Sequence, residues 1–213
     1  WDEIKEFDKK NTLDQDFKVN PQQIIKVPMM MLTGKEANFR YAETDDLQML
    51  ELPYKGENVS MILILPRENN KAQSVENSLN LEKYNELKSN LRKQRVDVFI
   101  PKFKFETKYE MKEDLINMGM PAAFNSNIAD FSGMTGQKDL FISRVIHQAY
   151  VDVNEEGTEA AAVTVIMMEA TSVGPGNEPP IFRADHPFIF LIEEKTTGTI
   201  LFMGKVVNPT LGN

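Results

Sequence analysis

The chain has 213 residues, 41% of them hydrophobic and 26% charged, with a formal net charge of −8. That is enough apolar side chain for one domain with a real core, and the acidic balance argues against a nucleic-acid partner or an anionic membrane surface. There are no cysteines, which excludes disulfides and cysteine-based metal sites without fixing a compartment, and no apolar run is long enough to span a bilayer.

No signal-peptide pattern is visible. The chain starts at Trp1 rather than Met, so a removed leader or N-terminal region is the expectation. Trp1 to Gln15 reads as charged and irregular, with Phe7 as an anchor. Asp16 to Leu32 reads as two strands broken at Asn20-Pro21, a turn signal. Val27, Met29 and Met31 share a face, and the run of methionines reads as core filler. Between Gly34 and Leu52, alternation is visible only around Leu47 to Leu52. Pro53 to Asn58 is a turn, and Val59 to Leu65 is a continuous apolar run, the pattern of a strand buried on both faces. Those two pieces predict an antiparallel hairpin.

From Asn69 to Gln94 the spacing of Leu79, Tyr84, Leu87 and Leu91 predicts one or two surface helices, with Ser74 as an N-cap. Arg92-Lys93-Gln94-Arg95 reads as a solvated helix end or strand entry rather than a polyanion site. Val96, Val98 and Ile100 alternate until Pro101, and the strand resumes at Phe103 and Phe105. Lys112 to Met118 predicts a short helix stopped by Gly119. Ala122 to Gln137 reads as loop, Leu140 to Val153 as strand. Phe188 to Ile192 and Thr199 to Val206 predict a core hairpin around Thr196-Thr197-Gly198.

Independent catalysis finds no support. The two histidines, His147 and His186, lie beside apolar strand residues, where a histidine is usually held by structure. No serine sits in a GxSxG turn, no metal-ligand spacing occurs, and no glycine-rich phosphate loop is present. No metal, no cofactor and no enzyme activity are expected. Asn58-Val59-Ser60 matches a glycosylation acceptor triplet, a pattern that also arises by chance.

The unusual stretch follows Val153. Turn formers are nearly absent from Gly157 to Glu169, and the residues alternate instead. Thr158, Ala160, Ala162, Thr164, Ile166 and Met168 would share one face of an extended chain, and Glu159, Ala161, Val163, Val165, Met167 and Glu169 the other. The first face carries no charge and starts small. This is a strand pattern in a loop position, and it invites a two-state reading in which the segment is first exposed and later paired. A solvent-exposed linker or short helix fits the pattern as well.

Four separated motifs occur in order: KVPMMML, FIPKFKFE, NEEGTEAAAVT and FRADHPFIFLIEEKTTGTILFMGKVVNP. They resemble the marks of the serpins, and the resemblance runs from Trp1 to Pro209. It implies an α+β fold of mixed and antiparallel sheets with a few surface helices. It also implies that residues 1–213 are one portion of a single domain. The family's N-terminal helices and first strands would be missing, because Trp1 resembles the tryptophan that follows the third strand of the central sheet. Either a companion polypeptide, the N-terminal part of the same serpin, supplies them, or the chain is truncated.

The resemblance further implies a reactive loop at about 155–180. Its hinge would be Glu155, Glu156, Gly157, Thr158, Glu159, Ala160, Ala161, Ala162, Val163 and Thr164. A target serine protease would cleave the loop and be trapped as an acyl-enzyme while the arm inserts as an extra strand. Insertion needs a bend, which Gly157 allows. It needs a small uncharged inward face, since burying an unpaired charge costs several kcal/mol. It also needs freedom from proline, and none occurs between Gly157 and Val173. Counting Gly157 as first, the fifteenth residue is Thr171, so Thr171-Ser172 is the expected bond, with Met167, Met168 and Ala170 as competitors. A small β-branched Thr171 favours an elastase-like target, and the absence of Lys or Arg between Glu156 and Arg183 disfavours a trypsin-like one. His147, in RVIHQAY, would be the sheet-opening gate. A secreted, extracellular location goes with this reading. A non-inhibitory carrier and an inactive fragment are the rivals.

Overall fold

The computed structural model describes residues 1, 6–157 and 178–211. In chain order its first strands are β1 (Leu13–Asn20), β2 (Gln23–Leu32), β3 (Asn38–Glu43), β4 (Leu47–Pro53) and β5 (Val59–Pro66). Two helices follow, α1 (Ala72–Ser78) and α2 (Leu81–Ser89), then β6 (Arg92–Arg95), β7 (Asp97–Pro101) and β8 (Phe103–Glu110). Then come α3 (Lys112–Asn117), α4 (Ser132–Thr135), β9 (Ile146–Val153), β10 (Ile181–Arg183), β11 (Phe188–Glu194) and β12 (Thr199–Val206). The described residues form two compact units, one of Trp1–Lys104 with Asp152–Asn213, the other Phe105–Val151.

The first unit holds two sheets. One is four-stranded in the order β1-β2-β7-β10, the other six-stranded in the order β12-β11-β5-β4-β3-β6. The expected β1–β2 and β4–β5 hairpins form with antiparallel registers through Phe17↔Ile25 and Leu50↔Leu63. Every residue of β4 is buried, and β5 is buried from Ser60 onward. That is why the apolar run of β5 does not alternate: both faces are covered. One face packs on Val75 of α1 and on Tyr84 and Leu87 of α2. On the other, the Phe103 ring meets Phe188 at 5.8 Å and Phe190 at 5.5 Å.

Several local expectations are corrected. β3 has only six residues, and its exposed–buried alternation breaks at the buried Ala42, so it is too short to stand out from Gly34–Leu52. Ser74 lies inside α1. The capping side chain belongs instead to Asn80, which accepts from the Lys83 amide at the start of α2. Met29 and Met30 are fully buried while Met31 is only partly so, because β2 lies between β1 and β7 with both faces in use. The 140–153 strand begins only at Ile146. β11 is buried, but β12 leaves Thr199–Met203 exposed, since it is the last strand of its sheet.

Two buried carboxylates interrupt the helix-facing side of the large sheet. Glu193 meets the Tyr84 hydroxyl and the Lys88 ammonium of α2. Glu51 accepts from Ser60 Oγ at 3.1 Å and pairs with Lys195 at 2.9 Å and Arg40 at 3.4 Å. Both satisfy the requirement that a buried charge be partnered.

In the second unit β8 and β9 form a two-stranded sheet. The Arg144 guanidinium spans Glu110 with two bonds of 3.1 Å, and Gly119 and Gly136 end their helices at positive φ of 101° and 79°.

Gly204 of β12 lies directly opposite Phe190, and a Cβ placed there would fall 2.7 Å from the ring. Gly204→Ala is therefore expected to destabilise by about 1–3 kcal/mol through overpacking, read as a lower urea midpoint with an unchanged slope.

Candidate functional site

The described part of the candidate loop is its start. β9 ends at Val153, and the chain reverses at once: Asn154 N–H donates to Gly157 O at 3.2 Å, and Gly157 N–H donates back to Asn154 O at 3.1 Å. The Asn154 side chain accepts from the Glu156 amide at 3.0 Å, an Asx turn that fixes the bend. Gly157 has φ of 109°, and a Cβ on it would collide with the Trp1 backbone nitrogen. Both facts require glycine at this position.

The turn is clamped from one side by an aromatic block. The Trp1 nitrogen donates to Glu156 O, and its ring Nε1 donates to Asn154 O, each at 3.0 Å. The indole stacks on Tyr54 with centroids 5.0 Å apart and meets Phe7 edge-on at 6.2 Å. Phe7 is the buried anchor expected from the sequence, and its amide donates to Glu155 O at 3.1 Å.

The charge at the centre is Glu155, 3% exposed. One oxygen takes the Thr12 hydroxyl at 2.8 Å and the other takes Lys102 Nζ at 2.7 Å. Burial alone would raise its pKa. The Lys102 ammonium, the residue's own backbone amide and the Thr12 hydroxyl more than offset that and hold the carboxyl below the usual glutamate range. Glu156, next along, is half-buried and pairs with the exposed Lys9, a pair worth little by itself.

Of the expected site residues, Glu155, Glu156 and Gly157 are thus brought together in one turn. Thr158 to Thr164 of the hinge, the Thr171-Ser172 bond and the competitors Met167, Met168 and Ala170 lie outside the described residues. His147 is exposed on β9 and stacks on Tyr109 at 6.5 Å, so it is not the satisfied core histidine that its apolar neighbours allowed. His186 is the buried one. Its ring lies between Asp185 Oδ1 and Pro66 O, both at 2.7 Å. The basic run Arg92–Arg95 forms edge strand β6, with the Arg92 guanidinium donating to Ser89 O at 2.7 Å at the end of α2. Among the described residues no group of three acidic, histidine or cysteine side chains is placed to hold a metal.

Sequence reasoning missed Trp1, Thr12 and Lys102 as partners of the turn. Lys102 lies between Pro101 and Phe103 and contacts a residue 53 positions away, a pairing that no local periodicity encodes.

A family model described as Serpin (serine protease inhibitor) matches residues 1–209. The chain is 46% identical over 207 residues to an uncharacterized serpin-like protein of Methanosarcina acetivorans, covering 97% of this chain and 47% of that protein. It is 40% identical over 215 residues to leukocyte elastase inhibitor A of Rattus norvegicus, covering 98% and 55%. Among solved structures, thyroxine-binding globulin in complex with thyroxine matches with a TM-score of 0.82 at 33% identity, over 97% of this chain and 53% of that one. The chain spans about half the length of the curated relatives it matches.

Because the folded-state pKa of Glu155 is depressed, its contribution to stability is present above the ordinary glutamate pKa and disappears as pH falls through the folded value. Lys102→Met is expected to cost about 1–3 kcal/mol at neutral pH, less than the 3–5 of a fully buried pair because the Lys102 end is open to solvent. Thermal melts from pH 7 to pH 3 check this: the gap between wild type and variant narrows with acid.

Proposed function

The chain belongs to the serpin family, and from that premise we propose that it works as a suicide-substrate inhibitor of a serine protease, with an elastase-like enzyme as the favoured target. The observation that carries this reading is the hinge. Gly157 ends a fully hydrogen-bonded turn, and the twelve residues after it run TEAAAVTVIMME, with no proline and with Thr158, Ala160, Ala162 and Thr164 on one alternating face. A segment of that kind can enter a sheet without leaving a charge unpaired or a ladder donor missing.

The protease would attack Thr171-Ser172 and become acylated on Thr171. Before water releases it, the arm beyond Gly157 would insert, with the turn at Asn154–Gly157 as the fixed end and His147 as the gate on β9. The similarity to leukocyte elastase inhibitor A supports the preference for a small residue at the cleaved bond. The mechanism needs strands that the two-stranded β8–β9 sheet does not itself supply. We assign them to the N-terminal part of the same serpin, in the same or a companion polypeptide. The exposed apolar residues of β12, Leu201 at 49%, Phe202 at 42% and Met203 at 67%, support such a cover. An extracellular location is part of this proposal. The similarity to thyroxine-binding globulin favours a second reading, a non-inhibitory carrier.

Mixing the protein, with the N-terminal part that completes its sheet, with pancreatic elastase separates the two. An SDS-stable complex carrying the loop fragment is expected. Clean cleavage without a complex contradicts inhibition and favours the carrier. Thr164→Arg places a charge on the inserting face, so cleavage is expected to continue while the covalent complex falls by tenfold or more, as a barrier of about 1.4 kcal/mol per decade implies.

A further inference from the structure

We propose that Asn58 is the acceptor of an N-linked oligosaccharide, and that the sugar must be added before the chain folds. Asn58-Val59-Ser60 is the sole Asn-x-Ser/Thr triplet of the sequence whose middle residue is not proline. The other, Asn208-Pro209-Thr210, is blocked by its proline.

The acceptor side is open. Asn58 is exposed at the end of the turn joining β4 to β5. Gly56 and Glu57 bend that turn at positive φ of 84° and 57°, and Tyr54 N–H closes it on Val59 O at 3.0 Å. The Asn58 carbonyl accepts from the Lys195 amide at 2.8 Å, and its side-chain amide is bonded to no described residue. A bulky polar group on that nitrogen displaces nothing from the core.

The hydroxyl side is closed. A glycosyltransferase recognises the triplet through the Ser or Thr two residues on. Ser60 is 1% exposed and donates to Glu51 Oε1 at 3.1 Å, while Glu51 is itself held by Lys195 and Arg40. The triplet is therefore unreadable in the folded sheet. β5 pairs with β4 on one edge and with β11 on the other. The Ser60 partner on β11 is Glu193, more than a hundred residues later. During synthesis β5 keeps an open edge until the C-terminal strands arrive, and that interval is the window for transfer.

In the reaction the Asn58 amide nitrogen bonds to the anomeric carbon of a lipid-linked oligosaccharide. The carbon–oxygen bond to the polyprenyl diphosphate breaks, the diphosphate leaves with the electron pair, and the nitrogen loses a proton. The inference rests on the extracellular part of the proposal above and is independent of protease inhibition.

The test supplies the compartment itself. The 213-residue chain, fused to a secretory leader, is translated with microsomes. One gel shift is expected, removed by N-glycanase and absent in Asn58→Gln. No shift overturns the site whatever the natural location. In a second arm, the purified native chain and a synthetic peptide of residues 53–66 are offered to a single-subunit oligosaccharyltransferase with lipid-linked oligosaccharide. The native chain is expected to react roughly tenfold or more slowly, since a core strand is reached only through unfolding. Equal rates overturn the claim that folding closes the triplet.

Discussion

Glu155 is a carboxylate removed from water at the end of β9, and it stays ionised because Thr12 and Lys102 hold its two oxygens. The chain reversal at Asn154–Gly157 is built around that arrangement. Two residues later the chain must bend where only glycine fits, and the bend needs an abutment. Trp1, Phe7 and Tyr54 supply one through packing, and Glu155 supplies the other through charge. A loop anchored in this way has one fixed end, which any insertion must pivot about.

Three buried glutamates show how different surroundings use the same group. Glu193 and Glu51 sit within the six-stranded sheet and are tied to α2 or to neighbouring strands. They complete a core and carry no implication of movement. Glu155 sits at a chain reversal, and its partners come from far along the sequence. Losing either partner there leaves a desolvated charge beside the turn at Asn154–Gly157, so the clamp and the bend are coupled.

Much of this was legible in the sequence. The all-apolar run of β5 and the Asn-Pro and Thr-Thr-Gly turns each determine local structure through burial or backbone chemistry, and they appear where expected. Gly157 was legible for the same reason. What stayed hidden was non-local or short. β3 is too brief to show a period, Asn80 rather than Ser74 caps the helix that packs on the sheet, and Lys102 finds Glu155 only through the fold. His147 was misleading: its apolar neighbours imply burial, yet it is exposed on β9, where the two-stranded sheet has no further strand among the described residues to cover it. β12 is likewise exposed over Thr199–Met203, at the edge of its sheet among the described residues.

The central claim is that the arm beyond Gly157 is a strand kept outside a sheet in which it would be more stable. Calorimetry on the protein with its complete sheet, before and after one cut within residues 165–172, tests this most directly. The account predicts a large rise in melting temperature on cutting, because the freed arm adds a full set of ladder bonds and buried contacts. An unchanged or lower melting temperature after the same cut would contradict it.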